Sequence, residues 1–399
     1  MKKHGVAILG FGVVGGGVAD LLTNNREEIK NYLGCEVEIR KILDLRDFPD
    51  SPFADLVTHS FDEVIADDGV DTVMEMMGGS HPAYEYTVRA LKAGKNVITS
   101  NKEVVANFGD EFVAIAKEMG VSYRFEAAVG GGIPVISPMI SCIGQNKITE
   151  VRGILNGTTN YILTKMFSFG AGFEESLKDA QERGYAERNP DADILGTDAC
   201  RKIAILSSLA NGKLVPTNEI HTEGITCIRK ADVVAADKLG MSIKLLGRSI
   251  MTDAGTYIMV APFMIGKESP LASVSGVYNA IEVLGDPIGS VMFYGPGAGA
   301  GATASAVVSD LMQIMCSGRK CAQPTMIKSM DGVIDFADFE SQQYVAVCGA
   351  NAEKITAALG DVQIINESDE ISFITQKMRE GDIVDKLEGF DVKSRIRLI

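Results

Sequence analysis

The chain of 399 residues contains no tryptophan, and its four histidines (His4, His59, His81 and His221) fall at no spacing that could hold a metal. Its seven cysteines, Cys35, Cys142, Cys200, Cys227, Cys316, Cys321 and Cys348, form no CxxC pair and are odd in number. That excludes a zinc ribbon and argues against a disulfide framework; reduced thiols and a cytoplasmic location are the expectation. Basic residues are in deficit, with 38 Lys and Arg against 53 Asp and Glu and a net charge of −15. No cationic excess remains to neutralise phosphates, so nucleic acid is excluded as a non-specific partner. A run of about twenty apolar residues is also missing, so no transmembrane span is expected. The opening MKKHGVAILGFGVVGGGVA has lysines ahead of an apolar run, as a secretory signal would. Six glycines break that run and Asp20 follows at once, so a strand, turn and helix explain it better.

What is present is ordinary for a globular protein, with 46% hydrophobic and 23% charged residues, and the 42 glycines suit backbone that must approach ligands closely. The length suggests two or three domains. Strand patterns at 6–9, 37–43, 70–75, 96–99 and 122–127 alternate with helical periodicity up to about residue 23, at 83–93 and up to about residue 119. That alternation predicts an α/β fold with a Rossmann-type, doubly wound parallel sheet over residues 1–130. From Gly132-Ile133-Pro134 onward, helix-like stretches (135–143, 158–168, 173–183, 197–211, 230–246) mix with strand-like ones (148–154, 257–264, 277–283). A middle α+β domain over 131–330 is expected, with the glycine-rich run 295–301 and a helix at 302–317 returning to close the first domain. The tail, 340–399, reads strand, helix, two strands, helix, strand, a βαββαβ ferredoxin-like unit.

Several segments carry chemistry. Gly10, Gly12 and Gly15, with Phe11, Val13 and Val14 between them, follow a strand and open a helix. The first glycine permits the turn, the second lets a pyrophosphate approach, the third lets helix and strand pack, and the helix N-terminus offers free N–H groups. The second strand ends at Asp44 and Arg46, with Arg40 and Lys41 just before. A carboxylate there would take a ribose 2′-hydroxyl and an arginine a 2′-phosphate. Bases outnumber the acid, which tilts the reading toward NADP, while Asp44 would equally serve NAD by excluding the phosphate. Gly78, at the end of the next strand, allows backbone contact with the sugar–nicotinamide half of a cofactor. Ser100-Asn101-Lys102 lies on the same carboxyl edge. The stretch AQERGYAERNPDADILGTDACRK, 180–202, places Glu187, Asn189 and Asp193 on a Gly/Asn/Pro loop, and Asp198 and Lys202 at i and i+4 on one helix face. Acids that hold an ammonium and a lysine that hands a proton to an oxygen would suit a small zwitterion bearing a carbonyl. The plain alternative is a solvated loop with one ordinary ion pair.

The spacing Gly184, Asn189-Pro190, Asp193, Gly196, Asp198, Lys202 resembles the signature of the homoserine dehydrogenases, and the ordered set of motifs over about 5–315 resembles that family throughout. The resemblance implies reduction of L-aspartate 4-semialdehyde to L-homoserine with NADP or NAD. By the same resemblance Lys202 is the proton donor held by Asp198, and Lys102 is the partner beside nicotinamide and substrate. Glu187 binds the substrate ammonium with Asp198, and Asp193 shapes the loop. Gly184 and Gly299 meet the cofactor. Glu126, Val129, Gly131 and Ile133 would hold a monovalent cation, sodium in the family. The turn Asn156-Gly157-Thr158-Thr159 lies beside the active site, with Thr158 as a helix cap. The tail resembles the small ACT-type effector domain of the family but lacks its usual Asp-x-x-Gly opening, so a structural or oligomerising role stands beside effector binding. A homodimer or homotetramer paired through the middle domain is implied. The chain opens directly at the nucleotide motif, so none of the kinase activity fused to some members is expected. Two other readings stay open: a dehydrogenase of another small amino acid, and a non-catalytic dinucleotide or amino-acid sensor.

Overall fold

The computed structural model describes residues 3–317, 324–328 and 332–399. Cys321 and the stretches 318–323 and 329–330 of the expected middle domain lie outside the described residues. The chain divides into two units, and the cuts differ from 130 and 340. The first comprises Met1–Lys147, Ala204–Thr217 and Gly295–Met330, and the second comprises Ile148–Ile203, Asn218–Tyr294 and Asp331–Ile399.

The first unit is built on six strands: β1 (Lys3–Leu9), β2 (Glu36–Leu43), β3 (Val57–Thr58), β4 (Thr72–Glu75), β5 (Asn96–Thr99) and β6 (Tyr123–Arg124). Their order is β3-β2-β1-β4-β5-β6 and every pair is parallel. The strands read as unbroken apolar runs because helices cover both faces; Val6, Ala7, Ile8 and Leu9 are fully buried. Strand order reverses between β1 and β4, which leaves a crevice at the carboxyl ends where such sheets take their ligands. The helix Ala300–Ser317 packs Val307 and Leu311 into the core that Ile8, Val18, Leu22 and Met74 form, so this late helix does close the first sheet. The helix Arg26–Leu33 was not legible in the sequence because it buries only Ile29. The expected strand at 122–127 is cut to β6 by the tight turn Glu126–Ala128.

The second unit carries an eleven-stranded mixed sheet. Its strands are β7 (Lys147–Ile154), β8 (His221–Thr222), β9 (Met241–Thr252), β10 (Gly255–Gly266), β11 (Tyr278–Asp286), β12 (Gly289–Pro296), β13 (Glu340–Cys348), β14 (Gln363–Glu367), β15 (Glu370–Ile374), β16 (Met378–Arg379) and β17 (Asp391–Leu398). The main path runs β12-β11-β7-β9-β10-β17-β13-β15-β14. One helix expectation fails here. The stretch 230–246 is a helix only over Lys230–Lys238; Gly240 turns at φ +71°, and Met241 then pairs with Gly266 as the first rung of the β9–β10 hairpin. Ladder pairing across twelve residues outweighs the local helical pattern. The tail shows the expected element sequence, with helices Ala352–Leu359 and Glu380–Lys386 and antiparallel order β17-β13-β15-β14. It is not a separate sheet. β17 lies parallel to β10 through Phe263/Arg397 and Met264/Leu398, which removes an open edge from each.

Candidate active site

Each unit contributes a constellation of its own. In the first, Gly10 turns at φ +87° and a Cβ on Gly15 would stand 2.0 Å from the Gly10 carbonyl oxygen, so strand and helix meet there only because residue 15 is glycine. The helix Val13–Asn24 begins at Gly12 with no side-chain cap, leaving its N–H groups for a ligand phosphate. A cavity of about 490 Å³ opens at this end of the sheet, lined by Gly10, Gly12, Asp44, Arg46, His59 and Gly78 among others. Asp44 accepts from the Phe11 N–H (2.8 Å) and is gripped by Arg46 through Nε and Nη2 (3.0 Å each). The Arg46 side chain holds the Asp44 carboxyl at about 2, against a smaller upward push from burial. His59 bonds the Asp44 carbonyl (2.7 Å) and Asp47 (3.0 Å), and both raise its pKa. Acid and base thus stand together on the rim where a ribose 2′ position would lie, and these residues fit a dinucleotide.

Lys102 begins the helix Lys102–Met119, whose N-cap Asn101 accepts from the Glu103 N–H and donates to the Gly79 carbonyl. That bond ties the Gly78-Gly79 loop to the Lys102 helix. Beneath it, Glu75 accepts from the Met77 N–H (2.7 Å) and the Thr99 hydroxyl (2.5 Å). Burial lifts its carboxyl from 4.5 to about 7. Gly299, at φ +116°, accepts from the Thr303 N–H at the start of the closing helix.

In the second unit, Asp198 and Lys202 share one face of the helix Thr197–Asn211, as their i,i+4 spacing requires. The Lys202 Nζ lies 2.8 Å from Asp198 Oδ2 and 2.8 Å from the Leu155 carbonyl oxygen, and both side chains are about nine-tenths buried. Asn156 donates to Asp193 (2.6 Å) and to Asp198 (3.0 Å). Burial, and then the neighbouring Asp198 charge, raise the Asp193 carboxyl, while the Asn156 bond pulls it down. An ammonium held by a carboxylate and a carbonyl has one further hydrogen to give. That arrangement can protonate an oxygen and, with its second acid, hold a cationic group.

Models of two families match the chain: "Homoserine dehydrogenase, NAD binding domain" over residues 10–126 and "Homoserine dehydrogenase" over 134–312. The homoserine dehydrogenase of Bacillus subtilis is 34% identical over 98% of this chain and 95% of its own length. The chain belongs to the homoserine dehydrogenase family. The homoserine dehydrogenase of Synechocystis is 43% identical over 78% of this chain and 73% of its own. The crystal structure of the homoserine dehydrogenase of Thiobacillus denitrificans, 33% identical, superposes with a TM-score of 0.92 over 100% of this chain and 99% of that one. The chain is accordingly an NAD(P)-dependent homoserine dehydrogenase in function, an oxidoreductase acting on a small-molecule substrate.

Among the residues singled out in the sequence, Gly10, Phe11, Gly12, Val13, Val14, Gly15, Asp44, Arg46 and Gly78 gather at one end of the parallel sheet. Lys102 and Gly299 belong to the same unit. Asp193, Asp198 and Lys202 form one network. Glu187 and Gly184 are exposed on the preceding loop, outside that network; Gly184 turns at φ +75°. The Glu126 carboxylate accepts from the N–H groups of Val135, Ile136 and Ser137, and so serves the start of the helix Ile136–Ser141. Thr158 is not the helix cap. Asn156 caps the helix Gly157–Phe169, and Thr158 donates to the Tyr185 carbonyl instead. Asparagine ranks above threonine at that position, which is the signal that could have found it. No helix among the described residues is long and apolar enough to cross a membrane.

Proposed function

We propose that Lys202 protonates the carbonyl oxygen of L-aspartate 4-semialdehyde as it is reduced to L-homoserine, with Asp198 holding the ammonium in place. The observation that carries this reading is the Lys202 contact with both Asp198 and the Leu155 carbonyl in a nearly closed site. Two donors are committed, so the direction of the third hydrogen is set before substrate arrives. Glu187 and Asp198 bind the substrate ammonium, and Asp193 shapes the loop around it. Bound nicotinamide supplies or accepts the hydride. Gly10, Gly12 and Gly15 seat the pyrophosphate, and Lys102 works beside the nicotinamide. Lys202→Ala is expected to lower kcat by roughly 10³-fold with the fold retained; turnover near the wild-type level would remove the proton-donor role.

NADP is the preferred cofactor in this reading, with NAD accepted. Arg46 and His59 on the cavity rim support it, since a 2′-phosphate can draw the guanidinium off Asp44. A monovalent cation is held by Glu126 together with Val129, Gly131 and Ile133. The tail is structural, an assignment supported by its place in the large sheet. Pairing of two copies through the middle sheet is supported by the exposed apolar side chains of Tyr278, Met292 and Tyr294 on β11 and β12. Light scattering tests that pairing.

A further inference from the structure

Asn156 stands at the corner between β7 and the helix Gly157–Phe169, 6% exposed. Its Oδ1 accepts from the Thr159 N–H (2.9 Å) and from the Thr159 hydroxyl (3.1 Å). The Thr159 hydroxyl lies as close to the Asn156 backbone carbonyl oxygen, but the Thr159 N–H alone settles which way the amide points, so Nδ2 faces the opposite side. There its hydrogens reach Asp193 Oδ1 at 2.6 Å and Asp198 Oδ2 at 3.0 Å. The same Asp198 oxygen lies 2.8 Å from the Lys202 ammonium, which also bonds the carbonyl of Leu155, the residue before Asn156.

The corner itself is rigid. A Cβ on Gly157 would lie 2.6 Å from the Val277 carbonyl oxygen, so the backbone there is pressed against the start of β11. One turn on, Asn160 donates to the Tyr278 carbonyl (3.0 Å) and accepts from the buried ammonium of Lys244 (3.1 Å). A capping bond alone needs only an acceptor at residue 156. The donor half of the amide does something the cap does not require. Two carboxylates close to one ammonium repel each other, and a two-hydrogen donor between them holds both in place.

We propose that Asn156 is a positioning residue for the reaction: its two amide hydrogens hold Asp193 and Asp198 in fixed relation and thereby aim the Lys202 ammonium. This rests on Lys202 as the proton donor. The test compares Asn156→Ser and Asn156→Asp with Lys202→Ala, in homoserine oxidation followed across pH together with thermal melting. Serine caps helices well, so Asn156→Ser should melt near the wild type, whereas Asn156→Asp keeps a capping acceptor but sets a third carboxylate against Asp193 and Asp198 and should melt lower. In Asn156→Ser, kcat should fall on the order of 10²-fold, with a smaller change in KM, because the groups shift rather than disappear. The acid limb of kcat/KM should move to higher pH, since Asp193 loses the bond that pulls its carboxyl down. Asn156→Asp should be slower still, because it adds a third negative charge and donates nothing. Wild-type kcat with an unmoved acid limb in either variant would overturn the proposal and leave Asn156 a cap. Should Asn156→Asp fail to fold, Asn156→Ser decides. The two readings fail separately: an active Lys202→Ala removes the proton donor, whereas an inactive Lys202→Ala beside an unaffected Asn156→Ser removes only the positioning role.

Discussion

Glu75 in the first unit and Glu223 in the second both lose water on folding, yet their carboxyls move in opposite directions. Burial drives Glu75 from 4.5 up to about 7, because Thr99, Met77 and Asn101 offer it neutral hydrogen bonds and no cation. Glu223 feels the same upward push from burial, but His221 and Arg397 more than offset it and bring it to about 2. Arg397 is wholly buried, with Glu223 at 2.7 Å on one side and Glu380 at 2.9 Å on the other. Burial alone therefore does not set the charge of an acid; what stands opposite it does. The first unit keeps an acid that titrates near neutrality under its cofactor loop. The second uses paired charge to fasten the tail to β8 and β10.

Removing the cation from the second unit is the strongest way to break that contrast. Arg397→Met takes the close guanidinium from Glu223 and Glu380, leaving Arg395 at 4.0 and 3.8 Å from them, and is expected to cost about 3 kcal/mol, read from the urea midpoint. A loss below about 1 kcal/mol would mean that the network does not secure the tail. In the first unit the opposite change should help. The folded protein holds the Glu75 proton up to about pH 7 while the unfolded chain releases it near 4.5, so folding takes up a proton between those values and stability falls as pH rises through them. Glu75→Gln should remove that slope, gaining ~3 kcal/mol at pH 8 and nothing at pH 4. Equal effects at both pH values would show that Glu75 is not buried in its neutral form. The smallest expected effect lies at the rim. Arg46 is mostly exposed while the Asp44 side chain it holds ionised is nearly buried, so Arg46→Ala should lower stability only slightly. It should lower kcat/KM for NADP by about tenfold, the loss of one charged contact, and leave NAD nearly untouched. Equal losses with both cofactors would place Arg46 outside 2′-phosphate recognition.

Much of the fold was legible along the chain. Strands buried on both faces announce themselves as apolar runs, as 6–9 does. The helix Thr197–Asn211 follows the 3.6-residue period closely enough that Asp198 and Lys202 could be paired from their spacing alone. What failed did so for identifiable reasons. The helix pattern after Lys238 continued into Met241–Leu246, and only pairing with β10 turned it into strand. Threonine and asparagine are both residue types that cap helices, and the chain's exit from β7 put Asn156, not Thr158, at that place. That the Glu126 carboxylate meets the start of the helix Ile136–Ser141, nine to eleven residues on, was not legible either, because only the folded turn brings those N–H groups to it.

The sequence by itself determined the alternation that makes the parallel sheet, the glycines that a dinucleotide turn demands, and the lysine and acid of one helix face. Those are local matters of periodicity, backbone freedom and spacing. The tertiary structure alone decided that β17 joins β10, that Arg397 lies buried between two acids distant in sequence, and that Asn156 reaches Asp193 and Asp198 from across 37 and 42 residues. Each of these depends on which strand edges and which polar groups meet when water is excluded. No window along the chain contains that information.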